Sequence, residues 1–168
     1  EVLARFQARH IETYLLSGDR RDVVEATARD LSIAQAQFAL TPVQKYEELE
    51  KLKKQGKKVL MVGDGLNDAP VLSGADISMA PGTAIDMAQN AADVVFMGEK
   101  LAPVYTAWKV AKFSQSLVKE NFALAILYNM IAVPLAFAGV VTPMIAALAM
   151  SGSSLLVIAN SFRLKLRV

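Results

Sequence analysis

The chain has 168 residues, a formal net charge of +2 and no cysteine. So small a net charge gives no reason to expect a nucleic-acid partner, and the lack of cysteine excludes disulfides and thiolate metal sites formed within the chain. Hydrophobic residues make up 54% of it, above the roughly 45–50% of soluble domains. The excess is concentrated, because no charged side chain occurs over 121–162. We therefore expect a soluble portion followed by a membrane portion.

The first part of the chain alternates short helices and short strands. Hydrophobic spacing predicts, in chain order, a helix over 2–9, a strand over 11–16, a helix over 20–31, a strand over 37–40 and a helix over 42–55. Thr41 fits the N-cap of the last of these helices, and Pro42 fits its first position. Gly56 is expected to end it.

Two polar features in this part could contact an anion. Ser17-Gly18-Asp19 joins a strand to a helix, and backbone N–H groups at such a helix start point toward bound phosphate. The same residues also fit an ordinary connection in which Asp19 caps the helix. Lys45 falls in the first turn of its helix, where the helix dipole disfavours a cation. It is either solvated there or faces an anion, and the residues leave both interpretations open.

The stretch from residue 58 to residue 72 carries the strongest signal. It starts as an apolar run typical of a strand buried on both faces of a parallel sheet. Gly63 and Gly65 then allow a sharp turn and a close approach to a ligand, and Asp64, Asn67 and Asp68 follow. Oxygen ligands at the carboxyl end of a buried strand suit Mg²⁺, which keeps waters or phosphate oxygens. A plain turn with solvated acids is the alternative.

The alternation continues after this motif. The predicted elements are a strand over 75–80, a helix over 84–90, a strand over 93–97 and a long helix over 101–119. Strands and helices that alternate with short links predict a doubly wound α/β domain. We place this domain at 1–100 and a connecting helix at 101–120.

The uncharged part of the chain is long enough for two membrane-spanning helices. Residues 121–141 would cross a hydrocarbon core of ~30 Å at ~1.5 Å per residue, and 144–162 would cross back after a break at Thr142-Pro143. Basic residues flank both spans: Lys109, Lys112, Lys119, Arg163, Lys165 and Arg167. The positive-inside rule then puts the α/β domain and both ends of the hairpin, which we place at 121–168, in the cytosol.

Several polar residues interrupt these spans. Tyr128-Asn129 is followed by Pro134, which frees backbone carbonyls near two polar groups, and broken helices of this kind line ion pathways. Met150 adds a soft thioether, which favours Cu(I) over hard cations, and Ser154 shares its helix face. Helix–helix hydrogen bonding, and plain packing of the thioether, are the alternatives.

Together these motifs resemble those of heavy-metal-transporting P-type ATPases, and are most similar to the copper-exporting branch. Residues 63–70, Gly-Asp-Gly-Leu-Asn-Asp-Ala-Pro, resemble the hinge motif of that family. Ser17-Gly18-Asp19 is similar to its Thr-Gly-Asp motif, with serine for threonine, and Pro42 to Lys45 is similar to its Pro-x-x-Lys element. In the membrane portion, Tyr128-Asn129 resembles a Tyr-Asn pair, and residues 150–154 resemble a Met-x-x-Ser-Ser motif.

The resemblance implies three groups of site residues. The catalytic group comprises Ser17, Gly18, Asp19, Lys45, Asp64, Asn67 and Asp68, with Asp64 as the Mg²⁺ ligand and Lys45 neutralising the phosphoryl group. The backbone at Gly63 and Gly65 would contact the cofactor. The transported Cu(I) would be bound by Tyr128, Asn129, Met150 and Ser154.

The implied fold is a partial haloacid-dehalogenase-like, Rossmann-like α/β domain followed by a two-helix transmembrane hairpin. The implied function is part of an ATP-driven pump that exports Cu(I), uses Mg²⁺ and ATP, and passes through an aspartyl-phosphate intermediate. Its partners would be the remainder of the same polypeptide, the lipid bilayer and a copper chaperone. A membrane-anchored phosphatase-like protein and a non-catalytic membrane fragment are the alternatives.

The chain departs from the family pattern in one respect that matters for chemistry. It contains neither the Asp-Lys-Thr-Gly-Thr motif, whose aspartate is phosphorylated, nor the Cys-Pro-Cys motif. Glu1 reads as mid-domain sequence without a signal peptide, so we interpret the chain as part of a longer polypeptide. It should be inactive alone, because phosphoryl transfer needs a positioned nucleophile. The strand that carries this nucleophile is also absent, which predicts an unpaired edge or gap in the sheet.

Overall fold

The computed structural model of the chain describes residues 1–98 and 100–167, with side chains through Lys165. It forms two compact units, Glu1–Tyr105 and Thr106–Val168, with Val168 itself outside the described residues. We describe each unit by itself.

The first unit alternates strands and helices, as predicted. Its first half contains α1 (Val2–Gln7), β1 (Tyr14–Leu16), α2 (Arg21–Asp30), β2 (Gln35–Gln37) and α3 (Pro42–Lys54). Its second half contains β3 (Leu60–Val62), a 3-10 turn (Leu66–Asp68), α4 (Ala69–Gly74), β4 (Ile77–Pro81), α5 (Asp86–Ala91) and β5 (Val94–Phe96). The core lies where α4 and α5 cover β4, around Leu72, Ala80, Ala84 and Ala88.

The strands of this unit form two parallel sheets rather than one. β1 pairs only with β2, while β4 lies between β3 and β5. Within the described residues no backbone pairing joins β1 to β3, which agrees with the predicted gap. Side chains bridge the two sheets instead, because Lys57 Nζ donates to Glu12 Oε2 at 2.6 Å and to Tyr14 Oη at 3.0 Å. Lys57 precedes β3, Glu12 precedes β1 and Tyr14 is the first residue of β1. This bridge therefore lies at the amino-terminal ends of the two strands.

Two strand predictions were wrong in detail. The strand predicted over 37–40 lies at Gln35–Gln37, because the chain turns at Ala39, which has a φ of +52°. The strand that starts the long motif was expected to be buried on both faces. Leu60 is instead 36% exposed, with Met61 and Val62 half-buried, since β3 is an edge strand of its sheet.

The second unit is a helical hairpin, with one further correction. α6 (Ala102–Phe137) runs without interruption from the connecting segment through the first predicted span, and α7 (Pro143–Arg167) follows. Both helices are long and apolar enough to cross a membrane. The break expected at Pro134 is absent, since the helix continues past it and ends where Gly139 takes a φ of +72°. The proline removes one backbone hydrogen bond of α6 without ending the helix.

Candidate functional site

A cleft of about 360 Å³ collects the polar motifs of the first unit. It is lined by Ser17, Gly18, Asp19, Leu40, Lys45, Gly65, Leu66, Asn67 and Asp68. These residues come from the carboxyl end of β1, the start of α3 and the turn that follows β3. The carboxyl ends of parallel strands are where ligands bind in α/β sheets, so the structure joins three motifs that lie far apart in sequence. Sequence reasoning missed Leu40 and Leu66, which carry no polar signal.

Lys45 and Asp68 form the buried ion pair of this cleft. Lys45 Nζ donates to Asp68 Oδ1 at 2.8 Å, and the two side chains are 11% and 13% exposed. The pair decides between the two interpretations of Lys45, because its ammonium faces an anion and is not solvated. A buried charge needs such a partner, since an unpaired one is strongly destabilising.

Helix α3 starts in a way that positions this lysine. The Thr41 hydroxyl accepts from the Gln44 N–H at 3.3 Å, and the Gln44 side chain accepts from the Thr41 N–H at 2.9 Å. The sequence predicted Thr41 at the N-cap and Pro42 at the first helical position, and the structure adds the reciprocal capping box with Gln44. It places Lys45 in the first turn, at the edge of the cleft.

The glycines beside β3 make room for Asp68. A Cβ on Gly63 would lie 2.8 Å from Cβ of Asp68, and the Gly65 N–H donates to Asp68 Oδ2 at 3.4 Å. Neither glycine has a positive φ. Their role is therefore close approach, so that the Asp68 side chain can fold back over the end of β3.

The Ser17–Asp19 loop is held by its own hydrogen bonds. The Ser17 hydroxyl donates to Asp19 Oδ2 at 3.0 Å and accepts from the Asp19 N–H at 3.1 Å. The N-cap of α2 is Arg20, which makes no side-chain capping bond. The alternative interpretation of Asp19 as a helix cap is therefore wrong, and the loop instead forms one wall of the cleft.

Asp64 follows β3 directly and is exposed. Its carbonyl accepts from the Ile85 N–H at 3.3 Å, but its carboxylate has no hydrogen-bond partner among the described residues. Gly65 lines the cleft, whereas Asp64 and Gly63 do not.

The carboxylates of this region determine whether Mg²⁺ could bind here. The described residues contain no group of three metal-binding side chains, and Asp68 is occupied by Lys45. Mg²⁺ needs only one or two carboxylates when waters and substrate phosphates complete its shell. The free carboxylate of Asp64, beside a cleft of this size, satisfies that requirement.

The residues predicted to bind Cu(I) stay on their own helices. Asn129 Nδ2 donates to the Ala125 carbonyl at 2.8 Å, and the Ser154 hydroxyl donates to the Met150 carbonyl at 3.1 Å. Met150 is 66% exposed, and Tyr128 is half-buried. Among the described residues, no hydrogen bond joins α6 to α7 at these four side chains.

Several known proteins are similar in sequence to this chain. A family model described as haloacid dehalogenase-like hydrolase matches residues 1–76. The "Nitrogen fixation protein FixI" of Rhizobium leguminosarum bv. viciae is 52% identical over 98% of this chain. The "Copper-exporting P-type ATPase" of Bacillus subtilis is 36% identical over the same share. The chain spans 22% and 21% of these two relatives, about a fifth of their length.

A solved structure resembles almost the whole chain. A zinc-transporting PIB-type ATPase in its E2.Pi state matches 97% of it with a TM-score of 0.86 and 27% identity, over 27% of that protein. Both units therefore have counterparts in one polypeptide. The predicted fold, a haloacid-dehalogenase-like α/β domain followed by a transmembrane hairpin, is confirmed.

Proposed function

We propose, because the chain belongs to the cation-transporting P-type ATPases, that it forms the phosphoryl-transfer cleft and last two membrane spans of a metal-exporting pump. It corresponds to a carboxy-terminal region of these ATPases. The pump would be driven by ATP through an aspartyl-phosphate whose nucleophile lies outside residues 1–168. The observation that carries the proposal is the cleft that brings Ser17, Lys45 and Asp68 together, in one chain with two apolar helices.

The residues of the cleft have distinct parts in this chemistry. Lys45 supplies a fixed positive charge where negative charge develops on a transferred phosphoryl group, and such preorganised charge accelerates the reaction. Asp68 holds that ammonium in place through the 2.8 Å contact. Ser17 and Gly18 also line the cleft, where the Gly18 N–H can donate to a phosphate oxygen, as can the Ser17 hydroxyl if it leaves Asp19. Mg²⁺, held by Asp64, would neutralise phosphate charge.

The nucleophile is proposed to come from elsewhere, since each aspartate in or next to the cleft already has a partner or a role. Asp19 is bonded to Ser17, Asp68 is paired with Lys45, and Asp64 is assigned to the metal. β1 and β3 are each an edge strand of their sheet, and Lys57, which precedes β3, contacts Glu12 and Tyr14 at the start of β1. A further parallel strand between them would present a residue at its carboxyl end, which is the end where the cleft lies.

Phosphoenzyme formation in the complete protein tests this proposal. We expect Asp64→Ala and Lys45→Ala each to lower phosphorylation by radiolabelled ATP by more than about tenfold, because each removes one source of charge stabilisation. The matched controls are Asp86→Ala and Lys54→Ala, which remove exposed side chains of the same kind outside the cleft. Normal phosphorylation of both test variants would refute the assignment.

We propose Cu(I) as the transported ion, with Ag(I) as its chemical mimic. A phenol, an amide, a thioether and a hydroxyl are unusual ligands for Zn²⁺, which prefers thiolate, imidazole or carboxylate, and none of those groups occurs over 121–162. Soft sulfur donors favour Cu(I). The relatives include both a copper-exporting and a zinc-transporting ATPase, so the choice rests on these ligands. A copper chaperone would deliver such a soft ion to the cytosolic side.

Metal-stimulated ATPase activity of the complete protein checks the ion. We expect Cu(I) to stimulate turnover and Met150→Ala and Asn129→Ala to lose that stimulation. Met130→Ala is the control, since it removes an equally exposed thioether from α6. The assignment is wrong if Zn²⁺ drives turnover in place of Cu(I), or if both variants keep full stimulation.

The match of residues 1–76 to haloacid dehalogenase-like hydrolases favours one second candidate, a membrane-anchored phosphatase. A phosphatase would hydrolyse small phosphate esters with this chain alone. A pump segment that lacks its nucleophile would not. Release of p-nitrophenol from p-nitrophenyl phosphate by the purified chain therefore separates the two functions.

A further inference from the structure

A cluster of polar side chains joins the two helices of the hairpin at one end. It consists of Glu120, Asn121, Asn160, Ser161 and Arg163, and we call it the hairpin clamp. Arg163 Nη1 donates to Glu120 Oε2 at 2.6 Å and to Asn160 Oδ1 at 2.8 Å. Glu120 and Arg163 are the charged residues that border the uncharged stretch on either side, so the hairpin begins and ends in one ion pair.

Both amides of the clamp donate and accept hydrogen bonds. Asn160 Nδ2 donates to Asn121 Oδ1 at 2.9 Å and to Glu120 Oε2 at 3.3 Å, while its oxygen accepts from Arg163. Asn121 Nδ2 in turn donates to the Ser161 hydroxyl at 3.1 Å, which itself donates to the Val157 carbonyl at 2.9 Å. Each donor thus meets an acceptor across or along the helices.

Such a network favours one register. If α7 slipped by one helical turn, the residues opposite Asn121 would be Leu156 and Val157 in one direction, or Leu164 and Lys165 in the other. In the first direction the amides would lose their partners at the border of a bilayer, where unsatisfied polar groups are costly. In the second direction a leucine would replace Asn160. The apolar residues of the spans give no comparable preference, because lipid and leucine are equally apolar.

We propose that the hairpin clamp is a positioning device, which fixes the axial register of α7 against α6. Its consequence for transport rests on the proposed function. At ~1.5 Å per residue, Tyr128 and Asn129 lie about 10–12 Å from Asn121 along α6, and Ser154 and Met150 lie about 9–15 Å from Asn160 along α7. In the clamped register Ser154 and Met150 therefore lie on either side of the depth of Tyr128 and Asn129, and a slip of one turn, about 5.4 Å, would move the midpoint of that pair away from this depth.

Cross-linking measures this register directly, since the chain has no cysteine of its own. Two reporter pairs are introduced one turn from the clamp, at positions that are half-buried on the facing sides of the helices. Ala125→Cys with Val157→Cys reports the clamped register, and Ala125→Cys with Ser153→Cys reports a register slipped by one turn. Both pairs leave all five residues of the hairpin clamp in place. The chain in lipid bilayers is treated with a short bifunctional thiol reagent, and the two initial rates are compared.

We expect the clamped pair to react at least about fivefold faster than the slipped pair, as a hydrogen-bonded register requires. Asn160→Leu should reduce this ratio to near one, whereas Gln115→Leu, which removes an exposed amide from α6 outside the clamp, should leave it unchanged. A ratio that Asn160→Leu does not alter would overturn the proposal.

Charge reversal adds a rescue experiment. Glu120→Arg alone and Arg163→Glu alone should each lower the ratio, because each places like charges together. The double variant should restore it to within about twofold, since the ion pair re-forms with opposite polarity. A double variant no better than the singles would also overturn the proposal. Neither ATP nor metal is present, so failure here is distinct from failure of the proposed pump function.

Discussion

At the scale of single residues, Gly63 shows how a missing side chain holds the cleft together. A Cβ at this position would lie 2.8 Å from Cβ of Asp68, which is closer than real Cβ atoms approach, and 3.1 Å from its Oδ2. Any larger residue would push Asp68 away from the end of β3. Asp68 would then lose its contact with Lys45, and a buried ammonium would be left without its counter-ion.

Asp76 provides a pH-dependent contact at the other end of β3. Its carboxylate accepts from Lys58 Nζ at 2.8 Å and from the Val59 N–H at 3.0 Å. The Lys58 hydrogen bond, followed by that of Val59, holds the pKa of Asp76 below its ordinary value. A carboxyl group with a lowered folded-state pKa stabilises the fold above its unfolded pKa, and loses that contribution as the pH falls through the folded pKa.

We therefore predict that Asp76→Asn lowers the melting temperature at pH 7, and that the difference from wild type shrinks from about pH 4, near the unfolded pKa of aspartate, and disappears as the pH falls through the lower folded pKa. The effect should be small, since Lys58 is 88% exposed and water screens the pair. Circular dichroism melts at several pH values measure it. Asp86→Asn removes an exposed carboxylate without a described partner and should show no such trend; equal behaviour of the two variants would disprove the prediction.

At the scale of elements, α3 depends on the capping box at its start. We predict that Thr41→Ala destabilises the first unit by about 1 kcal/mol, because one N–H of the first turn loses its acceptor. Thr41→Ser keeps the hydroxyl and should recover most of this stability. Denaturant unfolding compares the three proteins. Equal stability of the alanine and serine variants would mean that the capping bond contributes nothing.

The same helix links local structure to chemistry. Lys45 is one turn into α3, so fraying of that turn would release the ammonium from Asp68. In the complete protein, Thr41→Ala should therefore lower phosphoenzyme formation as well as stability. The Thr41 cap would thus act on the cleft indirectly, through the position of α3.

At the scale of the whole molecule, the split sheet governs the stability of the α/β unit. β1 and β3 each have one neighbouring strand in the described structure, and the exposed bridge of Lys57 to Glu12 is a weak substitute for backbone pairing. We predict that residues 1–118, produced alone, unfold over a broad range at low temperature. Circular dichroism and thermal melting decide this, and a sharp cooperative melt at high temperature would contradict it.

Much of this architecture could be predicted from local sequence. Thr41 and Pro42 define the start of α3, and the uncharged stretch over 121–162 defines a helical hairpin, because caps, periodicity and hydrophobic length act over one or two turns. The Gly-Asp-Gly motif likewise located the cleft. The absence of a nucleophile-bearing strand predicted the missing pairing between β1 and β3.

Contacts between distant segments were decided only by the tertiary structure. Sequence alone could not say whether Lys45 was solvated, because its partner Asp68 is brought to it by the packing of α3 beside the turn after β3. It could not show that Asn129 and Ser154 bond to their own helices while Asn160 bonds across the hairpin. Each of these amides and hydroxyls has several possible acceptors, and only the spatial arrangement of the helices selects among them.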